Sequence, residues 1–391
     1  MTLSNIFSKE FGDPLSFQKK NGNFLSFIHA SDIHLGSFQF SNEYRANDFI
    51  RAFQEILSSA IIHQVDFIIF CGDIFTCLEF LPNTLTKIAN LITDFNNYTK
   101  RKIPLITIEG NHDIRKFSRG VKFTKRGQSW LKFLSSLGLI ILLDADIDAS
   151  PEDMFQPYDD ATKKGGKIRI KNSLIYGTRY ISQNPEEYLL KFKQAIEKED
   201  GYFHIFLQHF GIEGQMENVP GIAYRKMLAL KDRVDYLALG HFHKQFIIDD
   251  WIYNPGSSEA TCSIDSSYQR GIFLVKVLGK KKKVFKLNLN NRTYNWQTIR
   301  LPFEFRKRTN LNEFILQKLK LPLGSLKVDI DPGNLKMPIL YLILKGKNPC
   351  KSCRINEKEL RRLICDNFPI VDVKVYQKFT SFETMDKFMV V

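Results

Sequence analysis

Long hydrophobic runs are missing from this sequence. No apolar stretch approaches the roughly 20 residues that a membrane-spanning helix needs, which argues against a helical membrane protein. The N-terminus, MTLSNIFSKEFGDPLSF, has no basic region followed by an apolar one and does not read as a secretory signal. Cysteine is scarce. The six present (Cys71, Cys77, Cys262, Cys350, Cys353 and Cys365) are irregularly spaced, against a disulfide framework. Cys350 and Cys353 form a lone C-x-x-C with no second pair or nearby histidine. A zinc or redox role there competes with two small apolar residues in a turn. Internal repeats and low-complexity tracts are absent too. These absences predict a soluble, cytoplasmic protein.

Positive charge is in excess. Across 391 residues, 56 Lys and Arg face 42 Asp and Glu, a formal net charge of +14. That balance favours polyanionic partners, nucleic acid before anionic membrane. The 43% hydrophobic and 25% charged content is that of a globular chain, long enough for one large domain and a smaller one.

One unit recurs: a short apolar run that ends abruptly in polar, ionisable residues. FLSFIHA leads to SDIHLG, VDFIIF to CGDIF, IPLITI to EGNHD, YFHIFL to QHFG, and VDYLA to LGHFH. Such runs are the pattern of strands buried on both faces. Between them lie stretches of helical period, with Leu85, Ile88, Ala89, Leu91, Ile92 and Phe95 in one and Trp130, Phe133, Leu134 and Leu137 in another. Strand and helix in alternation predict a layered α/β domain, in which ligands collect beyond the carboxyl ends of the strands. All five polar clusters fall there. Residues 148–167 read as a surface loop or hairpin, and a composition change at Arg300–Asn310 as a linker. Beyond it, alternating helix and strand patterns predict a compact α+β unit.

Residues i and i+2 on extended backbone point the same way, so Asp32 and His34 can share an ion, as can His241 and His243. The other clusters add Asp73, Asn111, His112 and His209. Two carboxylates, an amide and several imidazoles without cysteine suit a divalent metal of intermediate hardness: Mn, Fe, Zn or Co. The groups are too many for one tetrahedral ion and suit two ions sharing a carboxylate. Two metals about 3.5–4 Å apart are an arrangement for phosphoryl hydrolysis, with a bridging hydroxide as nucleophile. His29, His63 and His204 lie within the strand and helix patterns with no partner motif, and read as structural.

The ordered set DxH, GDxF, GNHD, H, GHxH resembles the calcineurin-like metallophosphoesterase superfamily. With RGQSWLKFLSSLGL and the small C-terminal unit, it resembles more closely the SbcD-type (meiotic-recombination-eleven) DNA nucleases of double-strand-break repair. The resemblance spans about residues 24–380. It implies a two-sheet phosphoesterase domain over 24–299 and a DNA-binding capping domain over 300–380, flanked by an N-terminal extension (1–23) and a short tail (381–391). It implies that Asp32, His34 and His243 hold one metal and Asn111, His209 and His241 the other, with Asp73 bridging and Mn²⁺ preferred. His112 is then not a ligand but the group that protonates the leaving oxygen. Asp113 either orients His112 or caps its turn.

The implied function is an exonuclease on double-stranded ends and an endonuclease. A phosphodiesterase of small substrates and a non-catalytic scaffold on the same fold are the alternatives. Implied partners are DNA, a second copy of the chain and a coiled-coil SMC-like ATPase. Where many members carry a histidine after GDxF, Thr76 stands here. The segment after GNHD places Arg115, Lys116, Arg119, Lys122, Lys125 and Arg126 among aromatics, which suits a DNA strand or a solvated basic loop. Leu85, Phe133 and Leu137 fall where this family dimerises, or else face the chain's own sheet.

Overall fold

A computed structural model describes residues 6–11, 24–79, 82–114, 129–301, 308–324, 329–331, 334–347 and 355–380. The chain divides into two compact units, Met1–Gln39 with Arg45–Asn290, and Phe40–Tyr44 with Asn291–Val391.

In the first unit the strands are β1 (Phe24–Ala30), β2 (Phe67–Phe70), β3 (Leu105–Thr107), β4 (Ile141–Leu142), β5 (Lys167–Ile170) and β6 (Ser173–Gly177). There follow β7 (Phe203–His209), β8 (Tyr236–Gly240), β9 (Phe246–Ile248), β10 (Ile252–Asn254), β11 (Ile272–Leu278) and β12 (Lys281–Leu287). Each of the five apolar runs supplies one strand. They assemble into two six-stranded sheets, ordered β12-β11-β1-β2-β3-β4 and β5-β6-β7-β8-β10-β9. β1 to β4 run parallel, as do β6, β7, β8 and β10.

Period-2 alternation buries both faces of each sheet. In β1, Leu25 and Phe27 enter the layer between the sheets, where they join Phe67, Ile69, Ile205, Leu207, Tyr236 and Tyr253. Ile28 and Ala30 face the other way, into a core shared with helices Glu43–Ile62 and Pro82–Tyr98. Phe206, Leu237 and Leu239 of the second sheet pack outward on Leu189, Phe192 and Met227. The result is a helix–sheet–sheet–helix sandwich, the predicted α/β class with two sheets.

The helices expected from periodicity span Pro82–Tyr98 and Trp130–Ser136. Ser129 caps the second, accepting from Lys132 N at 3.2 Å. Leu85 is half-buried against the outer core, whereas Phe133 and Leu137 are 43% and 53% exposed. Within residues 1–23, a helix Ile6–Phe11 buries Phe7 fully, its ring 5.7 Å from that of Phe95. Among the described residues no helix is long and apolar enough to cross a membrane.

His29 of β1 has a structural place. It is fully buried, with Nδ1 3.0 Å from the Tyr236 hydroxyl and Nε2 3.1 Å from Leu239 O. A carbonyl only accepts, so Nε2 carries the proton and Nδ1 accepts from Tyr236. Burial lowers its pKa to about 3, against the pull of the Leu239 carbonyl. The unfolded chain therefore binds a proton that the folded one refuses between pH 6.5 and about 3. Stability contributed by neutral His29 is complete above 6.5 and falls with pH by about 1.4 kcal/mol per unit. Urea midpoints measured from pH 7 to 5 should decline, and His29→Gln should flatten the decline.

In the second unit, β13 (Tyr294–Leu301), β14 (Asp329–Asp331), β15 (Asn334–Lys336), β16 (Ile339–Lys347) and β17 (Asp372–Thr380) accompany helices Arg308–Gly324 and Glu357–Asn367. β13, β16 and β17 form a parallel sheet, and Leu340, Leu342 and Val373 pack on Leu311, Ile315, Leu360 and Ile364 of the helices. A break at Arg300–Asn310 leaves most of β13 with the first domain. The structure places β13 in the second unit, because it pairs with β16 from Tyr294 to Leu301.

Candidate metal centre

Loops leaving β1, β2, β3, β7 and β8 meet at the carboxyl ends of both sheets. The first two zip together: Asp32 N donates to Gly72 O at 3.1 Å and His34 N to Asp73 O at 3.0 Å. Gly110 permits the third to close in, since a Cβ there would lie 2.2 Å from Asp73 Oδ1. Asp32, His34, Asp73 and His241 all have positive φ (51°, 53°, 52° and 85°). Such strain in non-glycine residues persists only where surrounding structure enforces it, and it clusters at functional sites.

The side chains converge. His34 Nε2 and His243 Nε2 lie 3.2 Å apart. His209 Nε2 and His241 Nδ1 each lie 3.0 Å from Asn111 Oδ1. Asp73 Oδ2 lies between the two sets, 3.9 Å from His34 Nε2 and 3.3 Å from His209 Nε2. Asp32 Oδ1 is 3.8 Å from His243 Nε2. Among the described residues three groups could hold an ion: Asp32 with His34 and His243, Asp32 with Asp73 and His209, and His34 with Asp73 and His112. Phe242, between the last two histidines, is buried beside Gly211.

The imidazoles are held with a nitrogen turned toward the centre. His209 Nδ1 faces Cys71 O at 2.6 Å and His243 Nδ1 faces Asp265 Oδ2 at 2.7 Å. Both acceptors claim the Nδ1 proton and turn Nε2 toward the centre. Burial, then the neighbouring histidines, lower His34 and His241 to about 3, so both imidazoles are neutral. Burial works against charge on His209 too, but the Asp73 and Asp32 carboxylates outweigh it and raise it to about 9. Burial also opposes ionisation of Asp73, yet His209 and His34 hold its carboxyl below the usual carboxylate range. A positive charge is thus favoured between the carboxylates. The donor set fits divalent cations.

His112 and Asp113 sit beside the donors in different roles. His112 N donates to Asp73 Oδ1 at 2.7 Å, and its Nδ1 lies 2.9 Å from Thr76 O. Asp113, 2% exposed, accepts from Phe75 N at 2.9 Å, Ile74 N at 3.3 Å and Gly110 N at 2.9 Å. Of its two expected roles, the geometry is that of the turn cap, and the carbonyl of Thr76 orients His112. Asp265, Thr261 and the Cys71 carbonyl were not anticipated. Arg115, Lys116, Arg119, Lys122, Lys125 and Arg126 lie outside the described residues, as do Cys350 and Cys353.

The calcineurin-like phosphoesterase family matches residues 25–245, a span that contains all seven donors and His112. The chain belongs to that family. As a calcineurin-like phosphoesterase it is a hydrolase of phosphate esters that uses divalent metals. The chain is 34% identical over 239 residues to the DNA double-strand break repair protein Mre11 of Archaeoglobus fulgidus, covering 60% of this chain but only half of that protein. It is 27% identical over 338 residues to the Mre11 protein of Sulfurisphaera tokodaii, covering 84% and 76% of the two chains. With that of Saccharolobus solfataricus it shares 25% identity over 367 residues, covering 92% and 83%.

Proposed function

We propose that this phosphoesterase is a DNA nuclease that processes ends in double-strand-break repair, acting as an exonuclease on duplex ends and as an endonuclease. The observation that carries the reading is the convergence of seven donors with His112 beside them, in a chain whose relatives are named for that repair process. Asp32, His34 and His243 would hold one cation, Asn111, His209 and His241 a second, and Asp73 both. The cations, Mn²⁺ in our reading, would supply an activated water and neutralise charge on the phosphate.

The chain's own groups do the rest. Thr76 O accepts the Nδ1 proton of His112 and so fixes the ring with Nε2 turned outward. From there Nε2 delivers a proton to the departing 3′-oxygen. We place Arg115, Lys116, Arg119, Lys122, Lys125 and Arg126 on DNA phosphates, residues 300–380 as a DNA-binding cap, and Phe133 and Leu137 in a homodimer face to which Leu85 contributes. An SMC-like ATPase is the expected partner and the cytoplasm the expected compartment.

The test is hydrolysis of linear duplex and hairpin DNA with Mn²⁺. Shortened duplex and opened hairpin are expected. If DNA stays intact while a small phosphodiester is turned over, the nuclease reading is wrong and the small-substrate one replaces it.

A further inference from the structure

The two sets of donors are supported differently from behind. His209 rests on a neutral backbone carbonyl, that of Cys71. His243 rests on a carboxylate, that of Asp265. We infer that Asp265 is a positioning residue that orients His243 and makes the Asp32/His34/His243 half of the centre the tighter cation site. This rests on the metal-centre reading above and concerns how that centre is tuned.

The support is built, not incidental. Asp265 is 3% exposed and opens a short 3₁₀ turn, Asp265–Ser267. Thr261 fixes its carboxylate twice, donating to Oδ2 from its backbone N at 2.9 Å and from its hydroxyl at 2.6 Å. Arg270 Nη1 donates to the Asp265 carbonyl at 2.5 Å and ties down the other end of the segment. Thr261 Oγ1 also lies 3.1 Å from His243 Nδ1. Its only hydrogen goes to Asp265, so it can offer Nδ1 nothing but a lone pair. The proton must therefore be on Nδ1, and Nε2 is turned to the centre with the ring in one orientation.

The backbone enforces the same placement. Ser257 N donates to His243 O at 3.1 Å. Gly256, at φ +76°, passes so close that a Cβ would lie 2.7 Å from His243 O. The segment 256–270 thus grips His243 through its carbonyl and its Nδ1 at once.

Charge makes the halves unequal. Around Asp32, His34 and His243 stand two carboxylates, Asp32 and Asp265, besides the shared Asp73. Asp32 reaches the other half too, since His241 N donates to its carboxylate at 3.0 Å and it groups with Asp73 and His209, so among the described residues Asp265 is the carboxylate for which the Asn111/His209/His241 half has no counterpart. A carboxylate behind a ligating histidine raises the ring's donor strength, and its loss typically lowers metal affinity 10–100-fold.

Mn²⁺ titrated by calorimetry into the metal-stripped full chain tests this. The wild type should bind two ions in two affinity classes. Asp265→Asn keeps an acceptor for Nδ1 but removes the charge. It should weaken the tighter class roughly 10–100-fold and leave the weaker class and the metal-free unfolding temperature unchanged. Thr261→Val, which frees the carboxylate without removing it, should shift the same class by less. An unchanged Asp265→Asn isotherm, or weakening of both classes together with a lower metal-free unfolding temperature, overturns the inference. A wild type that binds no Mn²⁺ overturns the metal-centre reading and this inference with it.

Discussion

His112→Leu is expected to lower kcat on duplex DNA by about 10²–10⁴-fold while two Mn²⁺ ions still bind. The ring packs edge-on against His34 at 4.9 Å between centroids, close enough to reach a phosphate held beside the donors. Its Nδ1 is committed to Thr76 O, so the group available to substrate is Nε2. A departing 3′-alkoxide is strongly basic and needs a proton in the transition state, whereas p-nitrophenolate does not. Loss of activity on DNA should therefore far exceed loss on bis-p-nitrophenyl phosphate. The same geometry admits a competing role, because His112 groups with His34 and Asp73 as donors for an ion. If His112 were a ligand, calorimetry would show one ion lost and both substrates would suffer alike. That pattern would overturn the acid assignment.

The donors were legible in the sequence because each follows a short apolar run on the same few residues of chain. Burial of the run fixes the strand, and the strand's end fixes where the polar residues emerge. Their supports were not legible. Asp265 is 22 residues from His243 and belongs to no motif. The carbonyls of Cys71 and Thr76 would serve equally in almost any residue, so side-chain identity carries no trace of them. Phe7 lies in a helix of only six residues, too short for a periodic signal, and only its burial against Phe95 reveals that residues near the N-terminus belong to the core. The limits of the second unit are hard to read from sequence for a related reason. The membership of β13 is decided by its partner β16, some forty residues onward, and not by local composition.

The same distinction decides what Asp113 does. Asp113→Ala should destabilise the fold by roughly 1–3 kcal/mol for each backbone amide left unpaired. Phe75, Ile74 and Gly110 are the three amides concerned. They flank Asp73 on one loop and Asn111 on the other, so the carboxylate pins together the two turns that present these donors. Losing it should lower the unfolding temperature and weaken Mn²⁺ binding together. Asp113→Asn retains one acceptor oxygen and should fall between the wild type and Asp113→Ala in both. Neither change touches the Thr76 carbonyl, so the ratio of activity on DNA to activity on bis-p-nitrophenyl phosphate, which reports His112, should stay where it is in the residual activity. A selective loss on DNA at wild-type stability would mean that Asp113 orients His112 after all. Loss of stability with an unmoved ratio would assign it to the turn: a carboxylate that touches no substrate and yet determines where the metal donors stand.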